Sequence, residues 1–353
     1  KTLQMQPVAT LPLSFAKLRL WAANFWVSSL NYNATFYLFV NFSNFRNMKT
    51  IAITGVLGYS GRYIAQEAAK QGWRVIGLTN SAKRLDNTDG WELRPMPWST
   101  AEDVLADVNV LVNTYWVRFS YAGGKHAAFS HEEAIRNTRI LFDAARRAGV
   151  QRIIHTSITC PDATSPLPYF RGKAELETAL ESTGIAHSIL RPAVLFGDSP
   201  QESILINNMA WSLRRLPAVA TFGWGHYQLQ PLHVQDFAEI ALREAEQTDQ
   251  HRIIQATGQE TYTFRALWKL LAEAMGISRL ILPVPAGIGY AATSVLGYCM
   301  NDIMLTRDEI SGLCENRLAV PGSGIGSRPL SQWVRQHADT LGRTYESELA
   351  RRK

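Results

Sequence analysis

Three residues of this chain have types and spacing suited to proton transfer: Ser157, Tyr169 and, four residues on, Lys173. A phenol ionises near pH 10, so Tyr169 can exchange a proton with a substrate oxygen at neutral pH only with help from a nearby cation. On a helix the i, i+4 spacing puts the Lys173 ammonium on the same face as the phenol. Ser157 adds a hydroxyl able to hold and orient that oxygen. The set suits proton exchange with an alcohol or a carbonyl. Because Y-x-x-x-K is short, it also recurs by chance. A second copy, Tyr121 to Lys125, encloses Gly123-Gly124, a poor helix. Lys173, by contrast, opens the helical run KAELETALES, and Ser157 closes the apolar run RIIHTS before it.

The elements that must position these groups start at residue 49. Residues 49–65 read KTIAITGVLGYSGRYIA: an apolar run, glycines at 55, 58 and 61, then a helical pattern. This is the strand, glycine turn and helix of a dinucleotide-binding βαβ unit. Gly55 lets the chain turn off the strand, Gly58 lets backbone approach a pyrophosphate, and Gly61 lets the helix pack close. The helix start, with Tyr59, Ser60 and Arg62, offers N–H groups to phosphates. Further strands are expected at 73–78, 107–114 and 152–157, with helices at 62–71 and 132–148. The expected fold is α/β, a Rossmann doubly wound parallel sheet followed by a smaller C-terminal substrate lobe.

Asn113 and Thr114, at the carboxyl end of the fourth strand, are expected to line the cofactor crevice. At the end of the second strand an NAD-preferring fold places an acid, but here stand Thr79, Asn80 and Ser81, followed by Lys83 and Arg84. No acid occurs between Glu67 and Asp86. With Arg62, Lys83 and Arg84 available for a 2′-phosphate, NADP is expected over NAD.

From Met48 to about Phe237 the chain resembles the atypical and extended short-chain dehydrogenase/reductases of the NAD-dependent epimerase/dehydratase type. Within them it is similar to the group around the dinucleotide-binding accessory subunit of respiratory complex I. The stretches carrying this are TGVLGYSG, HTSITCPDATSPLPYFRGKAELE, SILRPAVLFGD and LQPLHVQDFAEIA. The resemblance implies that Ser157, Tyr169 and Lys173 are the catalytic triad, with Lys173 also on the nicotinamide ribose. It implies that the segment holding Pro192 and Val194 closes over the nicotinamide, that Asn137 supports the site, and that the Asp236 carboxylate caps the helix after His233. Where many relatives carry Gly-Asp-Leu near the adenine, this chain has Met96-Pro97-Trp98.

The net charge of +6 is no nucleic-acid signature. Residues 1–47 hold four bases and no acid, and the remaining 32 basic residues face 30 acidic ones. That extension reads as upstream sequence, a transit segment or, less well given its asparagines, a membrane anchor, with Met48 as the natural start. The domain expectation is therefore residues 1–47 as an extension, 48–196 for the dinucleotide and 197–353 for a substrate lobe with segments returning to the core. Cys160, Cys299 and Cys314 are too few and scattered for a disulfide framework, and the histidines show no metal-ligand spacing. A reducing compartment follows: the cytoplasm, or an organelle if the extension is a transit segment. Residues 280–305 are apolar and rich in glycine and alanine, and are expected as a helix pair of the lobe, with a peripheral membrane or partner surface as the alternative. No transmembrane span is expected. The expected activity is an NAD(P)-dependent oxidoreductase acting on a small alcohol or carbonyl. The alternatives are a sugar-nucleotide epimerase/dehydratase and a non-catalytic NAD(P)-binding subunit or redox-sensing regulator.

Overall fold

Thr50–Thr54 forms β1, buried along its whole length, as a run of apolar and β-branched residues requires when both sheet faces are covered. In this computed structural model residues 49–80, 90–120 and 129–350 are described. The readings placed on residues 1–47 and Met48, on Lys83 and Arg84, and on Tyr121–Lys125 lie outside the described residues. After β1 come β2 (Arg74–Leu78), β3 (Glu92–Arg94), β4 (Val110–Asn113), β5 (Arg152–Thr156) and β6 (Ala186–Leu190). Together with β11 (His251–Ile254) they make a seven-stranded sheet in the order β11-β6-β5-β4-β1-β2-β3. Every pairing in it is parallel. The chain runs outward from β1 in both directions, so the switch point lies between β1 and β4.

Alternation along β1 sends Ile51 and Ile53 to one face and Ala52 to the other. The first face is covered by α1 (Tyr59–Lys70) and α6 (Val234–Ala245), through Ile64, Ala68, Phe237 and Ala241. The second is covered by α2 (Ala101–Leu105), α3 (His131–Ala148) and α4 (Pro168–Glu181), through Leu105, Leu141, Leu176 and Leu180. α3 starts where the Ser130 side chain accepts the Glu133 N–H and stops at Gly149, whose φ of +76° a side chain would strain. The parallel-sheet expectation holds, with helix and strand limits shifted by a few residues.

Past β7 (Leu195–Phe196) the chain builds a second core around Phe196, Met209, Phe264, Trp268 and Trp333. Its elements are α5 (Ile204–Arg215), β8 (Ala218–Phe222), β9 (Gln228–Leu229), β12 (Tyr262–Thr263), α7 (Phe264–Ala274), β13 (Leu280–Val284), α8 (Ala286–Met300), α9 (Arg307–Cys314) and α10 (Leu330–Gln336). Between them β10 (Leu232–His233) pairs β7, and α6 and β11 return to the large sheet.

Three local expectations change. Residues 280–300 are a strand and one helix rather than a helix pair, because β13 pairs in parallel with β8 and Pro285 then caps α8. The Nδ1 of His233, not the Asp236 carboxylate, caps α6 by accepting the Gln235 N–H. Asp236 instead accepts the N–H and hydroxyl of Ser327 at 2.8 and 2.9 Å, the Arg328 N–H at 2.9 Å, and the Arg328 guanidinium. Ser327, which the run Ser327-Arg-Pro-Leu-Ser331 suggests as the cap of a final helix, is thereby used up, and α10 starts at Leu330 after Pro329 with no side-chain cap.

Because Asp236 is buried and carries four bonds to the 327–328 segment, Asp236→Ala should cost roughly 2–4 kcal/mol of stability. A loss below 1 kcal/mol in urea unfolding, on the scale of an ordinary surface change, would refute that role.

Candidate active site

The turn after β1 has the dimensions of a phosphate cradle. Gly55 has φ of +63°, and the Gly58 N–H closes the turn on the Gly55 carbonyl at 2.8 Å. A Cβ on Gly61 would lie 2.3 Å from the Gly55 oxygen, and one on Gly58 would lie 3.0 Å from it. A side chain at Gly61 would therefore collide with the backbone of the turn, so the helix can pack this close to the strand end only with glycine there. No side chain caps α1 and no acid lies in its first turn, so the helix end presents its positive pole.

The carboxyl ends of β1, β4 and β5 are tied together beside this turn. The Thr54 hydroxyl donates to Asn113 Oδ1 at 2.7 Å, and Asn113 Nδ2 meets His155 Nδ1 at 3.1 Å. The Thr114 N–H donates to Thr54 Oγ1, and its hydroxyl donates to the Thr54 carbonyl. Asn113 is thus a fully buried strut of the switch point rather than an open ligand group. Asn80 is exposed, its Oδ1 accepting the Met96 N–H. Tyr59 donates to the Gly197 carbonyl, and the Arg62 guanidinium pairs with Glu202. Arg62 is therefore already partnered within the fold. Trp98 packs against Tyr115 with centroids 5.1 Å apart, and the Tyr115 hydroxyl accepts the Asn137 amide at 3.2 Å.

Ser157 follows β5 and is buried, its N–H donated to the Leu190 carbonyl. Its hydroxyl donates to the carboxylate of Glu177. Arg191 grips the same carboxylate through Nε at 3.0 Å and Nη2 at 2.5 Å, the two-pronged geometry that suits a guanidinium. Pro192, next along, is buried, and Val194 packs against the second core.

Tyr169 and Lys173 occupy the first turns of α4 as expected, but their partners differ. The Lys173 ammonium, on a side chain only 2 % exposed, donates to the Thr156 carbonyl at 2.7 Å and lies 4.3 Å from the centre of the Trp116 ring. Burial lowers this amine from 10.5 to about 7, with Glu177 opposing. The edge of Trp116 meets the Tyr169 ring at 5.6 Å, and His131 stacks on the other side of that indole contact at 5.4 Å. Burial pushes the Tyr169 phenol well up, the Glu309 charge adding to it and Arg118 opposing. The cation bearing on the phenol is thus Arg118, which is itself paired with Glu309 of α9. The indole thus touches both Tyr169 and Lys173, while the Ser157 hydroxyl is engaged with Glu177 instead.

Glu177, Trp116 and His131 escape a reading of the sequence alone. Glu177 stands four residues after Lys173 in KAELE, a spacing that marks a shared helix face, yet nothing there distinguishes a buried carboxylate from a solvated one. Trp116 and His131 belong to no motif and meet only through the fold.

The Lys173 shift has a stability consequence. Between about pH 7 and its ordinary 10.5 the unfolded chain holds the proton more tightly than the folded one, so stability rises with pH across that interval. Lys173→Met should flatten this rise by as much as about 1.4 kcal/mol per pH unit. Urea unfolding at intervals over that range measures it, and parallel slopes for the two proteins would overturn it.

Comparison with known proteins places this geometry. The chain is 22 % identical over 265 residues to the NADH dehydrogenase [ubiquinone] 1 alpha subcomplex subunit 9, mitochondrial, of Arabidopsis thaliana, covering 71 % of this chain and 64 % of that protein. It thus spans a little under two thirds of that relative's length. The fold is similar to Citrobacter sp. triphenylmethane reductase complexed with NADP(H), with TM-score 0.66, 18 % identity, and coverage of 81 % of this chain and 99 % of the other. It is also similar to an NADPH-dependent quinone oxidoreductase complexed with NADPH from Escherichia coli, with TM-score 0.61, 21 % identity, and coverage of 80 % and 94 %. The model of the NAD dependent epimerase/dehydratase family matches residues 51–256, from the first buried strand through the returning edge strand. That is more than half the chain, and the protein belongs to this family.

Proposed function

We propose that the chain is an NAD(P)-dependent oxidoreductase of the Ser-Tyr-Lys type, with NADP preferred, acting on a small alcohol or carbonyl. The observation that carries this reading is the placing of Tyr169 and Lys173 on either contact of Trp116, three residues beyond the end of β4, with Lys173 bonded to the Thr156 carbonyl next to Ser157. In this reading the Gly55–Gly61 cradle holds the pyrophosphate, and residues 48–196 bind the nucleotide. Residues 197–353 then supply the substrate lobe, with α6 and β11 returning to the sheet. The bound nicotinamide supplies or accepts hydride. Tyr169, its phenol pushed up by burial, keeps its proton at neutral pH and gives it to the substrate oxygen, which favours the reductive direction. Ser157, donating to Glu177, offers its oxygen as acceptor and fixes the orientation of a hydroxyl product. Lys173, near half-charged at pH 7, sits where a ribose hydroxyl can replace the Thr156 carbonyl as its acceptor. The site lies in the cytoplasm, or in an organelle if residues 1–47 act as a transit segment.

A second reading, a nucleotide-binding subunit without turnover, is favoured by the engagement of Ser157 with Glu177 and of Lys173 with Thr156 and Trp116. The Arabidopsis relative is named as a subunit of an NADH dehydrogenase.

A panel of ketones, aldehydes and quinones, followed by NADPH oxidation, separates the two. Tyr169→Phe should lower kcat by roughly 10²–10⁴-fold while leaving nucleotide binding intact. Nucleotide binding without turnover of any member, in wild type as in the variant, would retire the enzyme reading.

Cofactor preference has its own measurement, titration of tryptophan fluorescence with NADP and NAD. Replacing both Lys83 and Arg84 by alanine should weaken NADP binding roughly tenfold or more and leave NAD unchanged. Tighter binding of NAD by the wild type would overturn the preference.

A further inference from the structure

α8 is an unusual helix for the surface of a protein. Ala286–Met300 carries no charged residue, and neither does the stretch from Leu280 to Asn301. A helix apolar all round is normally buried, yet here only Gly289 and Gly297 are. Ile288 is 61 %, Val295 65 % and Tyr298 89 % exposed. Beneath it, β13 shows Leu280 and Leu282 to the outside while Ile281 faces the second core. α8 crosses only the far end of the β8–β13 pair, where a Cβ on Gly289 would lie 2.5 Å from Phe222 and 3.4 Å from Val284. Helix and uncovered strand thus form one apolar shelf.

The polar groups of the helix face inward on its own backbone. The hydroxyls of Thr293 and Ser294 both donate to the Tyr290 carbonyl, at 3.0 and 2.8 Å, a local bond that satisfies them within the helix. Asp302, just beyond, is held by the Tyr345 hydroxyl and by the N–H groups of Glu348 and Leu349.

The borders of the shelf are cationic. At the head of the β8–β13 pair lies a cavity of about 460 Å³ lined by Arg214, Arg215, Arg343 and Ile277. Arg214 spends its donors on the Leu341 and Ala338 carbonyls, and the charge of Arg343, after burial, lowers its pKa. Arg279, directly before the exposed Leu280, reaches the Leu216 carbonyl beside this cavity. Along the side of α8, Arg307 stacks on Tyr290 at 4.8 Å. Arginines and tyrosines bordering an uncharged apolar face match the polar boundary of a bilayer. At 15 residues α8 spans about 22 Å, short of a ~30 Å hydrocarbon core, so it can lie on a membrane but not cross it.

We propose that the α8–β13 shelf docks on the surface of a bilayer containing anionic phospholipid, with Ile288, Val295 and Leu280 entering the acyl boundary and the Arg214–Arg215–Arg343 cavity receiving a phosphate headgroup. The occupant is the membrane rather than a second copy of the chain because the borders hold a cluster of like charges that a negative surface neutralises.

Flotation of the full chain with vesicles of phosphatidylcholine alone, or mixed with phosphatidylglycerol, tests this. Wild type should float with the mixed vesicles and poorly with phosphatidylcholine. Ile288→Asp combined with Val295→Asp, both at exposed positions, should cut flotation roughly tenfold with an unchanged melting temperature. Arg215→Ser with Arg343→Ser should remove the preference for phosphatidylglycerol, about fivefold per charge. Absence of flotation, equal flotation on the two lipids, or full flotation of the aspartate variant would each overturn the proposal. So would a wild-type dimer in ultracentrifugation that the aspartate variant dissociates, since the shelf would then belong to a second copy.

Discussion

A buried carboxylate governs the arrangement of the site. Glu177 is out of contact with water, and an isolated charge there would cost several kcal/mol. It accepts two N–H bonds from Arg191 and one hydroxyl bond from Ser157. The two partners come from the end of β5 and the segment after β6, and Glu177 itself from α4. The single carboxylate therefore fixes the rotation of α4 about its own axis, and with it the direction in which Lys173, one turn earlier, and Tyr169, two turns earlier, point. Loss of either charged partner would strand the other in a low-dielectric interior, so the two can change only together.

The same dryness sets the chemistry available. Burial is the leading cause of both shifts, raising the phenol of Tyr169 and lowering the amine of Lys173, and in each case it favours the neutral form. The indole of Trp116 contributes by touching both side chains without offering either a hydrogen-bond acceptor. The phenol thus keeps its proton across the neutral range, and the amine loses its own more readily than an exposed lysine does.

How much of this could be read in the sequence depends on the range of the interaction. The glycine turn and the run KAELETALES are local patterns, and both appear in the fold where steric and periodic arguments put them. The set Ser157, Tyr169 and Lys173 spans one strand-to-helix connection, still short enough to be legible. Glu177 was visible as a residue but not as a buried one, because i, i+4 spacing says which face two residues share and not what covers that face. Asp236 and Ser327 lie 91 residues apart, and each offered a plausible local role as a helix cap that a distant partner displaced. Pro283 and Pro285 signalled a break in the apolar run, but whether the piece before the break was strand or helix depended on finding β8 beside it.

The place of β11 in the large sheet has a consequence for how the molecule is made. The strand that covers β6 is residues 251–254, reached only after the chain has left the sheet, begun the second core and returned through α6. A nascent chain emerging from its N-terminus therefore completes β1 to β6 while the outer edge of β6 is still bare, along with the face of the sheet that α6 will cover. Closing that edge needs a pairing more than 60 residues long in sequence, a slow kind of contact to form. Until then an apolar strand edge is open to other chains. A boundary drawn at residue 196 thus does not mark a place where the polypeptide can be cut and each part left to fold alone.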